Sequence, residues 1–429
     1  MKRYVGISVV VRRTGERIIE ASRKYGTVVL LTFASQALSA LNLSLLSFIG
    51  LKVSDLYSVA IQAGTSAYAS FIVGVLYLLA VGRPNFKRWY VFAGIGSFFS
   101  IILAIGSAYM IMGSRIGLSF SLLQIILVFG SFAIGGAALS FSSTSAVRQA
   151  CLGHPTVLVG ITIFPNFCML IATVVAVPFI HGNELFVCIP AIFWAGANLI
   201  QTAYVFITSR NNFDPRIQNN VEREGRVNEL MHTAALVIGS VTSTFLPSMY
   251  IAATAKLASG ATTVLYFGGR IGAAVIGLCV NSILMVRYNW KDRTPSESRA
   301  SIQFMLITVT SGVIALVMKH AANLPYLGYV IVLLAWMSSL VAAPLVMREA
   351  NARRLAAALM GKSVFDLGVS VCVAYILYRM PSVTGYFSAY MASQCISTLF
   401  CGIGLGDRRL WQLSAIGLSV SLCLLLGGW

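Results

Sequence analysis

Acidic side chains are scarce in this chain: 13 Asp and Glu stand against 31 Lys and Arg over 429 residues. Charge of either sign makes up only 10% of the sequence, whereas a soluble domain carries about 25%. Long polar stretches are missing as well, the largest gap between apolar runs being 209–228. These shortages exclude a cytosolic enzyme and a nucleic-acid binder with an ordinary basic face. Histidine is rare, at four residues, and no Cys-x-x-Cys pair occurs, which excludes a zinc site and a secreted disulfide framework. Cys168, Cys188, Cys279, Cys372, Cys395, Cys401 and Cys423 lie in apolar runs, where cysteine acts as a small hydrophobe; Cys151 lies in a short loop. A cleavable signal peptide is not expected. The apolar run Ile7–Val11 is too short, and Arg12, Arg13, Arg17, Arg23 and Lys24 follow it. With Glu16 and Glu20 interleaved, residues 12–24 read as a basic helix on the cytoplasmic surface.

What the chain has in abundance is apolar sequence. Hydrophobic residues reach 58%, mean hydropathy is +0.83 and the formal net charge is +18. That is the composition of a multi-pass membrane protein whose cytoplasmic loops collect Lys and Arg. Apolar runs predict thirteen spans: 26–50, 55–81, 89–113, 116–146, 156–180, 185–208, 229–252, 259–286, 300–318, 324–347, 359–379, 382–405 and 410–428. With the N-terminus inside, 25 of the 31 Lys and Arg fall in inside segments. Only five fall outside (Lys52, Arg115, Lys256, Lys319 and Arg379), and Arg270 is left within a span. This bias orients the chain with its N-terminus in the cytoplasm. Six spans precede the 209–228 linker and seven follow it, so the first and seventh run in the same direction. The expected architecture is all-α: a basic segment 1–25, an N-lobe 26–208, a linker 209–228, a C-lobe 229–405 and an extra helix 406–429. The two six-helix lobes would face each other across a central cavity.

Arg270, in Tyr266-Phe267-Gly268-Gly269-Arg270-Ile271-Gly272, should lie near the bilayer midplane. Eleven residues from Ser259 at 1.5 Å each give a depth of about 16 Å. A charge there costs about 2.5–3.5 kcal/mol to insert, and it needs either a water-filled cavity or a partner. Its planar fork of donors suits phosphate. A structural ion pair is the competing reading, weakened because no acidic residue shares that depth in these spans. Gln36, Asn42, Gln62, Gln124, Asn166, Asn198, Gln201, Asn281 and Gln394 are also intramembrane. For any one of them, bridging between helices is the default role. Asp366 sits one to two turns into its span and shares a helix face with Lys362. The two read either as an interfacial ion pair or as a cation or proton site. Asp55, Glu184 and Glu229 stand near span ends and read as solvated. Gly268, Gly269, Gly272 and Pro247 are candidate bending points.

Residues 259–290, SGATTVLYFGGRIGAAVIGLCVNSILMVRYNW, resemble the seventh-to-eighth-helix signature of the MurJ/MviN lipid II flippases. Residues 48–66, FIGLKVSDLYSVAIQAGTS, are similar to that family's second-helix segment. The family belongs to the multidrug/oligosaccharidyl-lipid/polysaccharide exporters. The resemblance implies two lobes around a cavity that several arginines line. Only Arg270 survives of these; Gln36, Asn42 and Gln62 stand in the places of three others, and Gly269 in that of an acidic residue. In the family's proposed sodium pair, Lys362 replaces an Asn and Asp366 matches the Asp. The resemblance implies Arg270, Gln36, Gln62 and Asn42 as substrate contacts and Asp366 with Lys362 as a coupling site or ion pair. The family has one more helix than the thirteen spans here.

The functional expectation is a non-enzymatic flippase of the bacterial inner membrane. It would carry an undecaprenyl-diphosphate-linked glycan, either lipid II-like or an exopolysaccharide unit, to the outer leaflet. Its partners would be that glycan, the bilayer and glycan-synthesis membrane proteins, with no nucleic acid. No cofactor is expected beyond coupling to membrane potential, Na+ or H+. The alternatives are a MATE-like cation-coupled antiporter of small molecules and a membrane glycan-assembly enzyme. The former wants a midplane carboxylate and the latter needs catalytic carboxylates or a sizeable outer loop.

Overall fold

Hydrocarbon offers no partner to a backbone amide, so a chain of this composition must satisfy its amides within helices. Every described element of the computed structural model is helical. The structure describes residues 2–67, 89–151, 155–179, 184–209, 226–275, 297–321, 325–353 and 355–427. Fourteen α-helices are described: α1 Lys2–Ile49, α2 Leu51–Ala67, α3 Trp89–Met112, α4 Leu122–Cys151, α5 Pro155–Gly160, α6 Ile163–Ala176 and α7 Ile189–Ser209 in the first half. The second half holds α8 Arg226–Ala253, α9 Ala261–Val275, α10 Glu297–Ala321, α11 Pro325–Ala352, α12 Ala356–Arg379, α13 Val383–Leu405 and α14 Arg408–Leu426. The basic N-terminal stretch is helical and continuous with the first span in α1.

Ten helices among the described residues are long and apolar enough to cross a membrane, and each falls on a predicted span. The chain is therefore a multi-pass membrane protein. Of the other three predicted spans, 55–81 and 259–286 run into residues that are not described. The third, 382–405, is α13. Its buried face carries Thr384, Ser388, Ser397 and Thr398 beside Tyr386, Phe387 and Cys395. Such a helix is hidden by its neighbours and has little need of a lipid-facing apolar surface.

Helices α1 to α7 pack on one another, as do α8 to α14. In the first group α2 crosses α4 on bare glycine: a Cβ on Gly136 would stand 2.2 Å from the Gly64 carbonyl oxygen. Tyr57 ties α2 to the start of α7, donating to the Val187 carbonyl at 2.5 Å and accepting from Ala191 N–H at 3.2 Å. In the second group α8 lies along α12, and α13 touches α11, α12 and α14. The last helix is not peripheral: α14 packs against α10 and α13. Gly406, at φ 71°, ends α13, and Asp407 caps α14 by accepting from Leu410 N–H at 3.2 Å. The two groups meet where α2 touches α8 and α9, α3 touches α8, and α1 touches α9.

Candidate functional site

At the N-terminus of α9 the two helix groups are joined by hydrogen bonds. An α-helix begins with unpaired N–H groups and a positive dipole end. Asp55 of α2 meets both demands from the other lobe. Its carboxylate accepts from Gly260 N–H at 2.7 Å, Thr263 N–H at 2.8 Å and Thr263 Oγ1 at 2.7 Å. Thr263 Oγ1 also lies 2.9 Å from Ser54 Oγ and 3.4 Å from Ser58 Oγ. Gly260 adopts φ 89°, a conformation that favours glycine, and so turns its N–H onto the carboxylate. Asp55 is 1% exposed. This corrects the expectation of a solvated residue at a span end: burial is compensated by three donors from a segment about 200 residues away in sequence.

Arg270 lies nine residues beyond the start of α9, about 13 Å along the axis. Its Nε donates to the Tyr266 hydroxyl at 2.6 Å, one turn back, and its guanidinium lies 5.0 Å from the Tyr266 ring centroid. Among the described residues no carboxylate pairs with it. The outer edge of the guanidinium, with its paired N–H groups, is thus left for an anion. The glycines beside it serve close packing. A Cβ on Gly272 would stand 2.6 Å from Trp336, and one on Gly268 would stand 2.9 Å from Phe387. Gly269 has more room, with the Tyr386 hydroxyl at 3.6 Å.

Asp366 and Lys362 form an ion pair at 3.7 Å, and they are only 3% and 6% exposed. Ser370 Oγ donates to Asp366 Oδ1 at 3.2 Å. Because α12 starts at Ala356, three residues before the predicted span, Asp366 stands in the middle of a 24-residue helix. Asp366 is therefore a buried mid-helix carboxylate. Lys362 lies inside α12 against α8, on the same helix face as Asp366.

The uncharged polar residues divide. Asn42 Nδ2 donates to the Asn166 carbonyl at 2.9 Å, joining α1 to α6, and Gln201 Nε2 donates to the Ile161 carbonyl at 2.9 Å across the break before α6. Gln124 Oε1 accepts from Ser121 N–H at 2.7 Å, and Asn198 bonds within α7. The first two bridge elements, and the last two bond locally. Gln62 donates to Ser66 Oγ at 2.9 Å, and Ser66 lies 3.0 Å from Ser248, next to Pro247 in α8. Gln62 therefore reaches the lobe boundary through Ser66. Gln36 keeps a buried Oε1 with no hydrogen-bond partner. Among the described residues no hydrogen bond joins Gln36, Asn42 or Gln62 to Arg270. Asn281 lies outside the described residues. No cluster of three or more His, Cys, Asp or Glu suited to a metal occurs among the described residues.

The fold and site so far define a helical membrane protein with two helix groups, a capped inter-lobe contact, a half-buried arginine and a buried ion pair. No family profile and no curated protein sequence matches the chain. Among solved structures it is similar to the lipid II flippase MurJ in an inward closed conformation, at 11% identity and TM-score 0.43, covering 95% of this chain and 98% of that one. It is similar to the Vibrio cholerae MATE transporter VcmN in a bent form at 13% identity and TM-score 0.40, covering 94% and 99%. It is also similar to the eukaryotic MATE transporter AtDTX14 at 10% identity and TM-score 0.42, covering 94% and 100%.

Two features of the site escaped sequence reasoning. The partner of Asp55 is remote in sequence, so only the Gly260-Ala261-Thr262-Thr263 turn hinted at a helix start needing a cap. Tyr266 had a visible signal, the spacing of four from Arg270.

Proposed function

We propose that the protein is a flippase that moves a polyprenyl-diphosphate-linked saccharide from the cytoplasmic to the outer leaflet. The observation that carries this reading is Arg270: a half-buried guanidinium fork on α9, steadied by a tyrosine and unpaired by any described carboxylate. Such a group recognises a planar or multiply charged oxyanion. The headgroup would enter between the lobes from the cytoplasmic side while the prenyl tail stays in lipid. The Asp55 cap on α9 would hold the outer ends together in this state. Its release, with closure at the other end, would pass the headgroup outward by alternating access. Gln36 and Gln62 would line the path, and Gly269 and Pro247 would permit bending. One surviving arginine suits a diphosphate carrying lipid II or another glycan equally well. Membrane potential, at about 2.3 kcal/mol per charge per 100 mV, would assist only through a coupled charge. The suppliers and consumers of such a substrate are glycan-synthesis proteins of the bacterial inner membrane.

A second reading, a cation-coupled antiporter of small molecules, is favoured by the buried position of Asp366 in mid-helix. Its carboxylate is already matched by Lys362, so a cationic substrate would have to displace an ammonium.

The test is transport of a lipid-linked glycan in vesicles by Arg270→Lys and Arg270→Ala, with melting of each purified variant. The Lys variant keeps a point charge and should retain partial transport; the Ala variant should lose at least tenfold. The Ala variant should melt near wild type or above it, because removing the charge also removes its insertion cost. Normal transport by the Ala variant defeats the flippase reading, and so does a loss explained wholly by unfolding.

A further inference from the structure

The apolar spans of α3, α8 and α12 close on Met112, Lys256 and Arg379 respectively. These ends surround a cavity of about 620 Å³ whose walls come from both helix groups: Met110 from α3, Met249 from α8 and Val371 from α12. Its volume falls in the range of small-molecule sites, about 300–1,000 Å³. Tyr109, Tyr375 and Tyr378 also line it, all three exposed and all within the last turns of their spans. Tyrosine collects at the level where hydrocarbon gives way to headgroups. From that level the cavity runs inward. Met249 lies seven residues before Lys256, and Val371 seven before Tyr378, about 10 Å along each helix.

Two cations stand at the mouth. Lys256 Nζ lies 3.4 Å from the centroid of the Tyr378 ring and donates to the Tyr378 carbonyl at 3.1 Å. Arg379 Nε donates to the Tyr375 hydroxyl at 3.2 Å, its guanidinium 5.4 Å from that ring's centroid. Among the described residues neither cation has a carboxylate partner. One duty of the pair is plain, since positive charge suits the C-terminal end of α12. That duty leaves donors over. An ammonium has three N–H groups and a guanidinium five, so most of them remain free here. Nor does capping α12 call for a cavity built by three helices.

The chemistry of the mouth selects its occupant. The Tyr375 and Tyr378 rings already carry cations, so a quaternary ammonium would meet positive charge in place of an open aromatic face. An oxyanion meets two cations with donors to spare. A small free anion would leave the methionine- and valine-lined depth empty. A molecule with a phosphate at one end and an alkyl chain at the other matches both parts. The bilayer leaflet at this end supplies such molecules.

We propose that this cavity binds one anionic phospholipid, its phosphodiester on Lys256 and Arg379 and part of one acyl chain along Met110, Met249 and Val371. The lipid bridges the two helix groups. A ligand favours the arrangement it fits, so this lipid stabilises the one in which α3, α8 and α12 meet. The site is separate from Arg270 and holds whatever that arginine recognises.

The test melts the purified full-length protein in neutral detergent with dioleoyl phosphatidylglycerol, dioleoyl phosphatidylcholine or inorganic phosphate added. Wild type should gain about 3 °C or more from phosphatidylglycerol and under about 1 °C from either of the others. Lys256→Gln with Arg379→Gln should lose most of that gain, measured from its own baseline. Arg12→Gln with Arg13→Gln, which removes two cations from the basic N-terminal segment, should keep it. Val371→Trp retains both cations and fills the apolar depth from an exposed position. It should lose the gain too, whereas diffuse attraction of anionic lipid to a basic protein would leave it intact. Mass spectrometry of the intact complex should show one retained phosphatidylglycerol, reduced about threefold or more in the double Gln variant and in Val371→Trp. The absence of a gain in wild type overturns the site. An equal gain from phosphatidylcholine overturns the role of the cations, and an equal gain from inorganic phosphate overturns the lipid. A gain that survives in Val371→Trp overturns the cavity as the place of binding.

Discussion

Asp55 shows how much one side chain can hold. Three donors from the start of α9 converge on its carboxylate, two of them backbone N–H groups that the helix cannot satisfy itself. Asp55→Ala strands all three in a buried place and should cost about 2–3 kcal/mol. The consequence for shape is separable from the consequence for stability. Ser58 is fully buried beside this contact. A cysteine at Ser58, in a background without native cysteines, should react slowly with a water-soluble maleimide. Adding Asp55→Ala should speed that reaction at least tenfold if the contact holds the lobes closed; an unchanged rate would show that it does not. At this scale the sequence was informative about Arg270, because a charge in an apolar run announces itself. It was also informative about Lys362, whose spacing of four from Asp366 marks the ion pair, and misleading about Asp55, because a charge near the end of an apolar run looks solvated until its partner is known. Asp366 was misplaced for a smaller reason. Starting the span at 359 and not at Ala356 removed most of a turn from its depth.

At the scale of the element, α9 is defined by where it has no side chains. Gly268 and Gly272 are four apart and present one face, against which Phe387 and Trp336 lie, the two rings themselves 4.9 Å apart. Gly272→Ala would force a methyl to within 2.6 Å of Trp336 and 2.7 Å of Leu340. Overpacking of this kind costs about 1–3 kcal/mol. Melting should fall accordingly, and Trp336→Phe in the same chain should recover part of the loss. Gly106→Ala in α3 is the contrasting case, with nothing within 4 Å of the added atom. It should be neutral or stabilising, since alanine is the better helix former. Equal losses at both positions would show that the α9 face is not specially tight. Most of the elements themselves were legible, because an apolar run of twenty residues has few alternatives in lipid. What could not be read was which helix hides inside. The sequence of α13 is marked by its serines, threonines and tyrosines, but only packing shows that these face other helices.

For the whole molecule, the decisive fact is that described positive charges assigned to opposite sides by charge counting lie at opposite ends. Lys256 Nζ donates to the Tyr378 carbonyl at 3.1 Å, one residue before Arg379. A cavity of about 620 Å³ at that end is lined by Tyr109, Gly113, Lys256 and Tyr378, two residues short of Arg115. Gly260 packs on Leu51, beside Lys52. So Lys52, Arg115, Lys256 and Arg379, all assigned outside by charge counting, come together. At the far end of α12, Leu355 lies against Gly404, which brings Arg353 near Arg408 and Arg409, all assigned inside. Two halves of the chain thus agree on one polarity, although the fold alone does not say which end faces the cytoplasm. We propose that the end richer in Lys and Arg does. Single cysteines at Lys52, Arg115 and Lys256, in a chain without native cysteines, should label from outside intact cells with an impermeant maleimide. Cysteines at Arg353 and Arg408 should label only after permeabilisation. Labelling of Lys256→Cys from the inside alone would invert α9, carry Arg270 to the wrong face of the transport cycle and make the Asp55 cap a cytoplasmic closure.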